Sequence, residues 1–232
     1  MYVCGKNVVR EYLNSDEKIK GAIVFENFND EEILKKLRLK TNNIKYVRKQ
    51  EIDRMTKENH QGIMLNVEDF EYADLDELKK EDALVVILDH IEDPHNFGAI
   101  IRTCEAAGVT GIIIPKNRCV EVNATVIRTS VGASKYVPIV EVTNLTNTIN
   151  ELKKDGFWVV GTDMDGTNYT EIDYKGKTCL IIGNEGNGMS RIVRDNCDFI
   201  ATIPMNGKIN SLNASVAAGI VIYEAVKVRN EL

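Results

Sequence analysis

The residues with the clearest chemical use lie in the segment Asp93-Pro-His-Asn-Phe-Gly-Ala-Ile-Ile-Arg102. A guanidinium beside a glycine-containing turn is a natural grip for phosphate, because its rigid fork of donors matches phosphate oxygens. Asn96 sits at the start of the same segment. A plainer reading stands beside this one. Asp93 caps a helix, Pro94 takes its first position, and Phe97, Ile100, Ile101 and Cys104 form the core stripe. Arg102 then pairs in solvent with Glu105 at i+3, which is worth a few tenths of a kcal/mol.

Two further segments share this design of an apolar run followed by a turn rich in Gly and Asn. In Leu180-Ile-Ile-Gly-Asn-Glu-Gly-Asn-Gly188 the glycine order is G-x-x-G-x-G. A dinucleotide fingerprint needs G-x-G-x-x-G and an acid about 20 residues on, and neither is present. No Walker lysine follows either. The glycines still let backbone amides approach a ligand, and Glu185 places a carboxylate in the turn, either for a ligand or to cap the next helix. In Ile203-Pro-Met-Asn-Gly-Lys-Ile-Asn-Ser-Leu-Asn-Ala-Ser215, the side chains of Asn210, Ser211 and Asn213 precede an apolar helix. Capping needs one of them, at about 1 kcal/mol, so at least one is spare for a ligand.

These turns need a scaffold. From residue 84 the pattern is regular β-α alternation, with strands expected at 84–89, 110–114, 136–142, 157–162, 178–183 and 199–203. Helices are expected at 96–107, 121–130, 144–155, 188–195 and 213–229. This predicts an α/β fold, a mostly parallel sheet with helices on both faces. All three turns then fall at the carboxyl edge, where such sheets bind ligands. Residues 1–70 read as a small separate α/β domain: a helix after Gly5, strands at 21–25, 44–47 and 61–67, and a helix from Asp30 to Leu37. The charged stretch 71–83 reads as a linker with a short helix. The last helix, Ser215 to Val226, is apolar almost all round, so it is either central to its domain or packed on a second copy of the chain.

A net charge of −6 argues mildly against nucleic acid as a partner. Yet residues 35–49 hold seven Lys and Arg and no acid, a local stripe that is either a phosphate-binding surface or a solvated face. The five cysteines form no C-x-x-C pair and suit reduced thiols in the cytosol. No run approaches the roughly 18 apolar residues of a membrane span. The first residues lack a signal-peptide core, and no cluster has metal-ligand spacing. A cytoplasmic protein without a metal is expected.

Taken together, the three segments resemble the motifs of the SpoU (TrmH-like) family of RNA ribose 2′-O-methyltransferases. Ser130-Val-Gly-Ala133 matches a further family segment. Gly5-Lys-Asn-Val-Val-Arg-Glu11 and His60-Gln-Gly-Ile63 resemble the two ends of the substrate-binding domain found in members that modify ribosomal RNA. The resemblance implies an S-adenosylmethionine-dependent enzyme with a C-terminal trefoil knot (a SPOUT-like fold) that acts as a homodimer on RNA. The domains would be 1–70 for substrate, 71–83 as linker and 84–232 for cofactor and catalysis. It also implies that Thr162, Gly183, Ile203 and Leu212 hold the cofactor and that Arg102 grips the phosphate and developing alkoxide. Asn96 and Glu185 would orient Arg102 and the ribose, and Ser211 and Asn213 would complete the pocket. The expected product is a 2′-O-methylated guanosine in large-subunit ribosomal RNA. Transfer RNA as substrate, or a non-catalytic RNA-binding module of the same fold, are the alternatives.

Overall fold

The computed structural model describes the chain except Glu58, Glu185, Asn187, Ile209, Asn210, Glu231 and Leu232. It divides into two units: residues 1–71 with 122–132, and residues 72–121 with 133–232. The first unit opens with β1 (Tyr2–Cys4), α1 (Lys6–Asn14), β2 (Ile19–Phe25), α2 (Glu31–Lys40), β3 (Ile44–Val47), α3 (Lys49–Met55) and β4 (Ile63–Val67). Its sheet runs in the order β1-β4-β2-β3, with β2 and β3 parallel and the other pairs antiparallel. Val8, Val9, Tyr12 and Leu13 are the buried stripe of α1. Asp30 caps α2 by accepting the Ile33 N–H. Two elements lack a readable pattern. The strand β1 has three residues, and α3 buries only Ile52.

In the second unit, β5 (Leu84–Asp89) leads into α4 (Pro94–Ala106) and then β6 (Gly111–Pro115). The next helix, α5 (Ala124–Thr129), belongs to the first unit, where it packs on β1 and α1. The sequence pattern places helix 121–130 within the β-α alternation of the second domain. Its burial of Val126 and Ile127 against the N-terminal elements takes it out of that series. The chain returns with β7 (Ile139–Val142), α6 (Leu145–Lys154), β8 (Trp158–Asn168), β9 (Thr178–Gly183), α7 (Arg191–Asp195), β10 (Phe199–Thr202) and α8 (Ala214–Asn230).

The six strands form one sheet in the order β10-β8-β9-β5-β6-β7, all pairs parallel. The central strands β5 and β9 are buried on both faces, which is why they read as unbroken apolar runs. Val85, Ile87, Ile113, Val159 and Ile181 pack with Leu145, Ile149 and Leu152 of α6 and Val193 of α7. By strand alternation Val86 and Leu88 point to the opposite face, where α4 and α8 lie side by side.

The segment 71–83 is more than a linker. It carries a 3₁₀ turn at Leu75–Leu78, and Leu78 is fully buried in the core of the second unit. A Cβ on Gly111 would come 2.2 Å from the Leu78 side chain, so the first residue of β6 must be glycine for Leu78 to seat. The strand β8 also runs past its expected end. Its pairing with β10 jumps from Gly161↔Ile200 to Thr167↔Ala201, so residues 162–166 bow outward. Arg194 fixes that bow with bonds to Asp163 (2.8 Å) and Asp165 (2.9 Å).

Because Leu78 fills the core, Leu78→Ala should destabilise the protein by about 2–5 kcal/mol. Urea unfolding followed by circular dichroism checks this. A change near zero would return residues 71–83 to the status of a linker.

Candidate active site at the carboxyl edge of the sheet

The carboxyl ends of β5 and β9 lie level, with Asp89 paired to Gly183. Asp89 is completely buried, and its two oxygens are used separately. One accepts from His90 Nδ1 at 2.5 Å, and the other accepts the Ser190 N–H at 2.7 Å. A buried carboxyl needs such partners, since leaving it unpaired costs several kcal/mol. Across the same edge, Asn184 Nδ2 donates to the His90 carbonyl at 3.0 Å. His90 itself has φ 64°, in the left-handed region that a bulky residue enters only when held. Two bonds, from the Ser190 N–H and from Asn184 Nδ2, thus fasten the loop after β9 to the end of β5.

The glycine-rich loop is a tight fold-back. The Asn184 N–H donates to the Gly188 carbonyl (3.1 Å), and the Gly188 N–H donates to the Asn184 carbonyl (2.8 Å). A Cβ on Gly183 would lie 2.4 Å from the Gly188 carbonyl carbon, which no side chain allows. Gly188 adds a φ of 65°. This backbone demand accounts for the first and last glycines of G-x-x-G-x-G.

At the first segment, Asp93 caps α4 by accepting the His95 N–H (2.9 Å), with Pro94 in the first turn. Phe97, Ile100, Ile101 and Cys104 are buried as the core stripe. Asn96 is also buried, and its Oδ1 accepts from Asn213 Nδ2 at 2.9 Å. Asn213 is meanwhile the cap of α8. Its Oδ1 accepts the N–H of Ser215 (3.0 Å) and of Val216 (3.3 Å), and the Ser215 hydroxyl. The amide orientation follows from this network, with oxygen toward the helix and nitrogen toward Asn96. One side chain therefore starts α8 and locks the third segment onto the first turn of α4.

The remaining expected residues distribute as follows. Thr162 is half-buried at the start of the β8 bow, and its hydroxyl donates to the Ile181 carbonyl at 3.0 Å, one strand over. Gly183 closes β9 on that side. Ile203 and Leu212, flanking the third loop, are half-buried, and Ser211 is exposed with no hydrogen bond among the described residues. Arg102 is exposed and has no hydrogen bond or ion pair among them, so the pairing with Glu105 is not formed. It sits six residues past Asn96, about 9 Å farther along α4 and on a different side of the helix. Glu185 lies outside the described residues.

Asp89, His90, Asn184 and Ser190 were not singled out from the sequence. The available signal was an aspartate closing the fully apolar run Leu84–Leu88. Burial pushes the Cys119 thiol up to about 12 and Cys197 to about 11. Cys104 and Cys179 are raised further by the same cause, so none of these four offers a thiolate at neutral pH. Among the described residues, no three His, Cys, Asp or Glu side chains cluster to hold a metal ion. No described helix is long and apolar enough to cross a membrane.

The edge thus offers half-buried apolar side chains, close backbone and amide joints, with an unpaired guanidinium on the adjoining helix. Known proteins resemble the chain over most of its length. Residues 83–223 match the model of the SpoU rRNA Methylase family, and residues 2–73 match the model described as RNA 2′-O ribose methyltransferase substrate binding. YacO of Bacillus subtilis (strain 168), named for the TrmH family of tRNA/rRNA methyltransferases, is 42% identical over 99% of this chain and 96% of its own. Among solved structures, AviRb of Streptomyces viridochromogenes, a SpoU methyltransferase in complex with AdoMet, superposes with a TM-score of 0.82 at 26% identity. That match covers 100% of this chain and 91% of AviRb. An AdoMet-bound rRNA methyltransferase from Sinorhizobium meliloti gives 0.82 at 30% identity, over 97% of this chain and 85% of that one. The chain belongs to the SpoU family of RNA methyltransferases.

Proposed function

We propose that the protein uses S-adenosylmethionine to methylate the 2′-hydroxyl of one guanosine in large-subunit ribosomal RNA. The observation that carries this reading is the Asn213–Asn96 bond, which brings the third segment onto the first beside the Asp89–Ser190 joint to the second. Three segments distant in sequence meet at one sheet edge. Thr162, Gly183, Ile203 and Leu212 are the residues that hold the cofactor. They present apolar surface and backbone groups, which suit a flat adenine and leave its polar edges to main-chain donors and acceptors. The bound cofactor supplies a methyl group already activated on a sulfonium.

What the chain must add is positioning and charge control. Arg102, always protonated, grips the phosphate next to the target ribose and stabilises negative charge as the 2′-oxygen gives up its proton. A phosphate oxygen or water accepts that proton. Asn96 and Glu185 orient Arg102 and the ribose, and Asn213 and Ser211, whose hydroxyl has no partner among the described residues, complete the pocket. The trefoil knot expected of the family is part of this proposal.

The partner is folded RNA held by the first unit. The basic residues from Lys35 to Lys49 run along the end of α2, β3 and the start of α3, and all of them but the half-buried Lys36 are exposed. The presence of this unit favours ribosomal RNA over transfer RNA, and the protein works in the cytoplasm. A homodimer is supported by α8. It buries the stripe Ala214, Ala218, Val221, Ile222 and Ala225 but leaves Val216 and Tyr223 about half exposed.

Mass-spectrometric mapping of ribose methylation, in RNA from cells with and without the gene, should show one 2′-O-methylguanosine lost from large-subunit ribosomal RNA. Loss from transfer RNA instead would move the substrate, and no loss would overturn the assignment. Arg102→Ala should abolish methyl transfer while calorimetry finds cofactor affinity within a few-fold of the parent. Near-normal turnover by that variant would remove Arg102 from the mechanism. Replacing Lys35, Lys45 and Arg48 together by Ala should weaken RNA binding and flatten its salt dependence by about 0.7–0.9 for every phosphate no longer neutralised. An unchanged slope, read by filter binding from low to moderate salt, would leave the stripe a solvated face.

A further inference from the structure

Within the first unit, a cavity of about 540 Å³ opens beside β2, the start of α1 and the turn before β4. Its size falls in the range of small-ligand sites, roughly 300–1,000 Å³. Its floor is fixed by His60, a buried polar residue. His60 Nδ1 accepts the Gly62 N–H at 2.9 Å, so the ring hydrogen is on Nε2, which donates to Asp53 at 2.8 Å. Gly62 has φ 83°, and a Cβ there would come 3.1 Å from the Phe28 ring, so the glycine lets that ring close on the turn. Gln61 Oε1 accepts the Lys6 N–H at 2.7 Å, which ties the turn to α1.

The walls are different in character. Asn27, Asn29 and Asn59 line the cavity, are exposed, and make no hydrogen bond among the described residues. Each carries one acceptor and two donors unspent. Phe28 offers an aromatic ring, with Lys6 Nζ 5.1 Å from its centroid. Lys49, also exposed, forms no ion pair among the described residues. Idle surface amides are common singly. Three in one cavity with an aromatic ring, the Lys49 ammonium and the Lys6 ammonium, which lies 3.4 Å from Asp30, match the parts of a nucleotide. The ring meets the base, the amides meet its hydrogen-bonding edge, and the ammonium groups meet its phosphate. Proteins read unpaired RNA nucleotides in this way, by aromatic contact and edge recognition.

We infer that this cavity receives one unpaired nucleotide of the substrate RNA, splayed out of its fold. The inference rests on the reading that the chain acts on RNA, and it gives the first unit a base-reading role beyond its basic stripe. The pocket fixes which RNA fold can dock. It does not take part in methyl transfer.

The test is side-chain amide NMR of the full-length protein, titrated with the four nucleoside 5′-monophosphates, ribose 5-phosphate and inorganic phosphate. At least one nucleotide should give saturable shifts of the Asn27, Asn29 and Asn59 amides at millimolar concentration. Neither phosphate control should saturate. Asn29→Ala, an exposed change that leaves the fold intact, should weaken that nucleotide several-fold, and Phe28→Ala by roughly ten-fold. No saturable shift with any nucleotide, or equal shifts with inorganic phosphate, would overturn the inference. Pocket shifts in a protein that methylates no RNA would sink the proposed function alone. Methylation without pocket shifts would sink this inference alone.

Discussion

The buried carboxyl of Asp89 is the constraint on which the site depends. It ends a strand enclosed on both faces, where water cannot satisfy it. Among the described residues, the donors that reach it come from His90 and from the backbone of Ser190. Hydrogen bonds to a charged group contribute about 1.5–3 kcal/mol each, and losing a partner at full burial costs more. The loop after β9 is thereby held down on the end of β5. Two of its glycines are consequences of that fold-back: a Cβ on Gly183 would strike Gly188, and Gly188 itself has a φ of 65°.

A second joint works in the same way on the other side. Asn213 spends its oxygen on the start of α8 and its nitrogen on Asn96. The C-terminal helix cannot begin without also setting the third segment against α4. Between the two joints the edge is pre-organised, which is what a transfer needing only alignment requires. Arg102 lies outside both joints. It is a long exposed cation available to an incoming phosphate, while the residues around the joints are fastened to one another.

Much of this was legible in the sequence, and the exceptions are instructive. The central strands of the large sheet read directly because parallel strands buried on both faces are apolar without interruption. The start of α4 read directly because Asp93 and Pro94 are local signals. The strand β1 and helix α3 were invisible. One is too short for a period and the other buries a single residue, so both exist through their partners. The outward bow of β8 is polar and is held by Arg194, about thirty residues away in sequence. Leu78 looked like an isolated apolar residue in an acidic stretch, and only the space above Gly111 shows why it is core. At the candidate site, residue types singled out segments that the structure joins at the sheet edge. The roles of Asp89 and Asn213 required tertiary contacts that no spacing encodes.

If the Asp89 joint is a condition of cofactor binding, a single variant tests it. Asp89→Asn conserves shape but exchanges one acceptor for a donor, which then faces the N–H of Ser190 or of His90. Isothermal titration calorimetry with S-adenosylmethionine should find clear binding by the parent protein. The variant, confirmed folded by circular dichroism, should bind at least ten-fold more weakly. Equal affinity in the two proteins would show that the loop after β9 forms the site without its anchor, and would contradict the account.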